Sequence, residues 1–149
     1  MVLEKYSVAE RDVGSVWESL RTDATAQLVD VRTRAEWTYV GLPHLAEIGK
    51  EPVLIEWQSF PDNRPDPNFS TELDIRLKES GLAKTANLFF ICRSGARSLS
   101  AARSMAALGY SHCYNVTDGF EGPVSTLDDH RHRGLTAGWK FAKLPWIQG

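Results

Sequence analysis

Cys92 is the residue on which any chemistry in this sequence would turn. It closes the apolar run "NLFFI" (Asn87 to Ile91), and Arg93, Ser94, Gly95, Ala96, Arg97 and Ser98 follow as a short basic loop before a helical pattern begins. A thiolate is a nucleophile and a thiol a poor one; a free cysteine with a pKa near 8.5 is only a few per cent ionised at neutral pH. The loop offers what the anion needs. Its amides can fold round the sulfur as donors, the following helix presents its positive end, and Arg93 and Arg97 add formal charge. Gly95 permits backbone angles closed to other residues, and the small Ser94 and Ala96 leave the amides accessible. The expectation is a cradle, open at the mouth of a sheet, for an anion on or next to the Cys92 sulfur. A lone cysteine at a strand end is ordinarily a small buried hydrophobe. The register of strand, glycine-bearing loop and helix is what argues for reactivity here.

The elements that must position this loop are short. Asp12 to Leu20 has Val13, Val16, Trp17 and Leu20 at helical spacings, and Ala26 to Arg32 ("AQLVDVR") reads as a buried strand ending in charge. Thr33 to Val40 allows one or two helical turns before Gly41 and Pro43. Pro52 to Trp57 suits a second strand. Gln58 to Asn68, with three prolines, reads as loop. A helix follows, capped by Ser70 or Thr71, with Leu73 and Leu77 on one face and Gly81 as its stop. Arg97 to Leu108 is the strongest helical pattern, about 18 Å long, with Leu99, Ala102, Met105 and Ala106 expected inward. His112 to Val116 is a strand closed by the Asp118-Gly119 turn. Alternating runs of this kind predict an α/β fold with a mainly parallel sheet flanked by helices, and ligands of such folds collect beyond the carboxyl ends of the strands.

Bulk properties bound the function. A chain of 149 residues suits one domain. With 42% hydrophobic and 24% charged residues it has the balance of a soluble globular protein. A net charge of -2 argues against nucleic acid or an anionic membrane as partner, so positive potential has to be local. The start "MVLEKYSVAERD" lacks a signal pattern, and no apolar run nears the roughly 20 residues of a membrane span. Cytoplasmic location is the expectation. Cys92 and Cys113 make no CxxC pair, and Cys113, within a strand pattern, is expected to be buried and inert. "DDHRHR" (Asp128 to Arg133) holds two histidines without a companion ligand cluster, so a solvated loop and no metal is expected. Asp30 with Arg32 reads as a structural pair, and His44 as part of a proline turn.

"CRSGARS" (Cys92 to Ser98) resembles the active-site loop of the rhodanese family of sulfurtransferases, and "LVDVRTRAEW" (Leu28 to Trp37) resembles that family's first signature. The order of elements is similar from about Tyr6 to Trp146, in a single rhodanese-like domain over residues 1–149. "GLPHLAEIGK" departs from the family's Gly-His-Ile-Pro-Gly-Ala-like stretch, and Gln58 to Asn68 and Ser125 to Gly138 look like insertions. The resemblance implies that Cys92 is the catalytic nucleophile and takes up a sulfane sulfur as a persulfide. It implies no cofactor, a small anionic sulfur donor held by the loop from Arg93 to Ser98, and a thiol or cyanide acceptor. Arg93 and Arg97 are the expected binders of the donor, arginine being suited to oxyanions. Three rivals use related features. A relay carrier would hand the persulfide to a partner protein from the same loop. A binding module without turnover would be expected to lose the cysteine. A phosphatase or arsenate reductase requires Cys-x5-Arg to wrap a phosphate, whereas Arg97 arrives one residue early and Ser98 occupies that position.

Overall fold

Strand β7 (Asn87–Ile91) lies at the centre of the computed structural model, which describes residues 8–59, 61–125 and 132–148. On one side it pairs with β8 (His112–Val116), then with β1 (Ala9–Arg11). On the other it pairs with β2 (Gln27–Asp30), then with β4 (Val53–Leu54). All four pairings are parallel, with Phe90 opposite both Val29 and Asn115. The parallel α/β expectation therefore holds, with β7 and β8 spanning the expected residues and β2 and β4 shorter than their apolar runs. The stretch from Pro52 to Trp57 forms strand only at its first two apolar residues, at the sheet edge. Strand β1 has no apolar signal in the sequence, because its three residues are all exposed on an edge.

Among the described residues, helices α1 (Val13–Thr22), α3 (Phe69–Glu79) and α4 (Ala96–Ala107) cover the sheet, while the short α2 (Arg34–Tyr39) buries none of its residues. Two apolar clusters form, separated by the sheet. Leu88, Phe90 and Cys92 belong to the one that holds the buried residues of α3 and α4, and Phe89 and Ile91 to the one that holds those of α1. That split is the two-residue alternation of a strand. Helix α1 buries Val16 and Leu20 and is capped by Asp12, whose carboxylate accepts from the Ser15 amide.

Three local expectations are corrected. Helix α3 starts at Phe69, so Ser70 and Thr71 lie in its first turn and Asn68 is the cap residue, with no side-chain capping bond. The cause is Phe69, buried edge-on to Trp57 with ring centres 5.0 Å apart, which draws the cap two or three residues upstream. The proline-rich stretch is not all loop: β5 (Gln58–Ser59) and β6 (Arg64–Pro65) pair antiparallel. In α4 it is Ser98 and Ala101 that join Ala102, Met105 and Ala106 inside, while Leu99 is only half-buried. A last pair, β3 (Leu42–Pro43) with β9 (Trp146–Ile147), brings the end of the chain back onto the domain.

Candidate active site

Cys92 is the first residue beyond β7, and its loop lies at the carboxyl end of the sheet. Its backbone is held by the turn that follows β8. The Phe120 amide donates to the Cys92 carbonyl at 2.8 Å, and the Glu121 amide to that of Arg93 at 3.0 Å. Gly119 makes this contact possible. With φ +61 it sits so close that an added Cβ would lie 2.5 Å from the Cys92 carbonyl oxygen. Gly95, at φ +118, caps α4 in the left-handed region and points its amide at the sulfur, N to Sγ 3.1 Å. Ser98 Oγ lies 3.2 Å from the same sulfur.

The side chains spread in different directions from this loop. Arg93, Ser94 and Ala96 are exposed, Arg97 is half-buried and Ser98 is fully buried. The nest of several amides expected from the sequence is replaced by one amide, that of Gly95, and one hydroxyl. The sulfur is also less open than expected, since Cys92 is 2% exposed. The strand alternation explains why: Cys92 continues the Leu88, Phe90 row and so faces α4 rather than solvent.

Arg97 is already paired with a carboxylate. Its Nη1 and Nη2 donate to Glu36 Oε1 and Oε2 at 2.7 and 3.0 Å. Glu36 also closes the capping box of α2, accepting from the Thr33 amide while its own amide donates to Thr33 Oγ1. One carboxylate thus ties the first signature to the cysteine loop. Burial works against the charge of Glu36, but the hydrogen bonds and charge of Arg97 outweigh it and hold the carboxyl below its ordinary value. A depressed folded value means that this stabilisation is complete above the unfolded carboxylate range, near pH 4.3, and disappears as pH falls through the folded value. Glu36→Gln, which can still cap, is expected to make urea stability less dependent on pH below about 4.5 than in the parent. Parallel acid profiles for the two proteins would refute that. Arg93, Arg97, Glu36, Glu121, Gln58 and Asn63 line a surface cleft of about 560 Å³ beside the loop. Arg93, exposed, makes no ion pair among the described residues.

A family model described as the STR4 middle domain matches residues 10–149. The chain belongs to this rhodanese-like family. The crystal structure of Rv0390 from M. tuberculosis is 41% identical, superposes with a TM-score of 0.81 and covers 96% of this chain and 100% of its own. The chloroplastic rhodanese-like domain-containing protein 4 of Arabidopsis thaliana is 27% identical over 134 residues, 90% of this chain and 24% of that protein. The polysulfide-sulfur transferase homodimer of Wolinella succinogenes shares the fold at TM-score 0.58 and 17% identity, over 99% of this chain and 83% of its own.

Asp30 and Arg32 are fully buried and bidentately paired, with Arg32 Nη2 donating to Gly41 O at 2.8 Å and the guanidinium 4.1 Å from the Phe120 ring centre. His44 lines a separate, apolar cleft of about 280 Å³ with Leu42, Pro43 and Ile147. Cys113 is buried, and burial pushes its thiol up to about 12. It pairs with Leu88, four residues before Cys92, so the two cysteines are about 13 Å apart along the strands, far beyond disulfide reach. Asp128 to Arg131 of the "DDHRHR" stretch lie outside the described residues, and no metal-binding group of three or more His, Cys, Asp or Glu occurs among the described ones. No described helix is long and apolar enough to cross a membrane.

The sequence reading missed Glu36, Asn115 and Glu10. Glu36 was legible as the third residue after Thr33 in a capping box. Asn115 is a polar residue inside the strand "HCYNV", which is itself a signal, because a buried amide requires partners.

Proposed function

We propose that this rhodanese-like domain is a sulfurtransferase whose nucleophile is Cys92. The observation that carries the reading is the polar surround of one buried sulfur. A neutral thiol could donate to the Ser98 oxygen at 3.2 Å, but the Gly95 amide at 3.1 Å is a donor aimed at the sulfur, and a thiolate or persulfide anion accepts from it, and from a rotated Ser98 hydroxyl, far more strongly. In the first step the Cys92 thiolate attacks the outer sulfur of a sulfane donor such as thiosulfate. A sulfur–sulfur bond forms on Cys92, sulfite leaves with its bonding pair, and Cys92-S-S⁻ remains. In the second step a thiol, cyanide in an assay, or a partner protein attacks the terminal sulfur, and the Cys92 thiolate is regenerated. No cofactor is needed.

Arg93, exposed beside the cleft, is the guanidinium available to an anionic donor. Because Cys92 is nearly covered, donor entry requires its surround to open, and the cleft edged by Arg93 and the Glu36–Arg97 pair is the adjoining space. The phosphoryl alternative is disfavoured by the early position of Arg97 and by its two-point tie to Glu36.

Intact mass after thiosulfate treatment tests the reading. The expected result is a gain of one sulfur on Cys92, reversed by cyanide. No gain with thiosulfate or with a low-molecular-weight persulfide, together with turnover of an aryl phosphate, would overturn it.

A further inference from the structure

Behind the cysteine a chain of polar side chains crosses from α4 to the far edge of the sheet. Ser98 Oγ lies 3.2 Å from Cys92 Sγ, 2.5 Å from Asn115 Oδ1 and 3.3 Å from the Gly95 carbonyl. Asn115, buried on β8, gives its amide hydrogens to the Gly95 carbonyl at 3.1 Å and to both oxygens of Glu10, on β1, at 3.2 and 3.0 Å. Thr117 Oγ1 steadies the same carboxylate at 2.8 Å.

Counting protons fixes the direction of these bonds. The Asn115 nitrogen faces three acceptor oxygens, so the reversed amide would set oxygen against oxygen at all three. Oδ1 therefore faces Ser98, and since it cannot donate, the single hydroxyl proton of Ser98 belongs to it. The Ser98 oxygen then turns a lone pair toward the sulfur, and a protonated Cys92 donates to Ser98. When the sulfur carries negative charge, the hydroxyl has to rotate to it and give up Asn115.

We infer that Asn115 and Glu10 are positioning residues for the nucleophile, holding the Ser98 hydroxyl away from a resting thiol and yielding it only to a charged sulfur. The inference rests on Cys92 being the nucleophile. Glu10 is exposed and nowhere touches the loop itself, so its influence passes through the orientation of one amide. Without the carboxylate only the Gly95 carbonyl still holds the Asn115 nitrogen, so the amide spends part of its time reversed, with its NH2 group toward Ser98 Oγ and the hydroxyl proton toward sulfur.

The test compares Glu10→Ala with Glu10→Gln, the second of which removes the charge but keeps an oxygen for Asn115. The first readout is the infrared S–H stretching band, in which the Cys113 contribution cancels on subtraction. Expected is a shifted or lost Cys92 band in Glu10→Ala and a parent-like band in Glu10→Gln. The second readout is the rate of Cys92 alkylation by iodoacetamide at pH 7, expected to rise about fivefold in Glu10→Ala, to stay at the parent value in Glu10→Gln, and not to rise when Ser98→Ala is added. An unchanged band in Glu10→Ala, or equal changes in both variants, overturns the inference. A domain that shows the expected bands but never takes up sulfur overturns the function proposed above and leaves the hydroxyl geometry standing.

Discussion

Cys92→Ser is expected to remove sulfur transfer from thiosulfate to cyanide by more than about a thousandfold while leaving the fold in place. The two halves of that expectation have separate physical grounds. A serine hydroxyl at pH 7 is not ionised and forms no persulfide, so covalent turnover has no substitute. The new hydroxyl nevertheless falls among ready partners, the Gly95 amide and Ser98 Oγ, at a position where Cys92 leaves almost no surface exposed. A buried hydroxyl with partners costs little, and a midpoint of thermal unfolding within about 5 °C of the parent is expected. Thiocyanate formation and a melting curve, read on the same preparation, check both halves. Residual turnover above a few per cent would mean that the sulfur does not pass through Cys92.

Gly119→Ala is expected to damage stability and sulfur uptake together. The added Cβ would lie 2.5 and 2.7 Å from the carbonyl oxygens of Cys92 and Arg93, which are backbone atoms and cannot swing aside. The position also has φ +61, a left-handed conformation that an alanine adopts at a cost of about 1–2 kcal/mol. Relief of the clash has to stretch the bonds from the Phe120 and Glu121 amides to the two carbonyls, which hold the loop in place. A total loss of about 2–4 kcal/mol is expected. Gly49→Ala is the comparison, because Gly49 has φ +71 with nothing within 4 Å of an added Cβ. It should lose only the conformational part and keep full sulfur uptake. Urea unfolding of both variants, with sulfur uptake by intact mass, separates the two effects. Equal losses at the two glycines would show that the turn does not support the loop.

Both expectations concern a site whose covalent part was readable in one dimension. Cys92, Gly95 and Ser98 are neighbours in the chain, and their spacing at a strand-to-helix junction already implies that the amide and hydroxyl can reach the sulfur. The parallel sheet was legible for a related reason, since buried strands are written as apolar runs. The edge strand β1 is not: its three exposed residues are placed by ladder bonds that every residue type makes equally well, whereas β4 was legible as an apolar run and only its two-residue length was not.

The exposure of Cys92 was read too generously, although the means to correct it were present. Leu88, Phe90 and Cys92 alternate on one strand, so a cysteine in step with two core residues faces the core. The role of Arg97 was different in kind. Its spacing from Cys92 suggested an anion binder, but the carboxylate that occupies it comes from Glu36, 61 residues away.

By itself, then, the sequence determined the alternation of strand and helix, the candidate nucleophile and the short loop around it, because each depends on residues a few positions apart. Tertiary structure alone decided which charges are already paired and what the Ser98 hydroxyl meets besides the sulfur. Glu36 and Asn115 reach the loop from α2 and β8, Glu10 meets Asn115 from β1, and the orientation of a hydrogen bond is set by what lies across space, at distances that no spacing along the chain encodes.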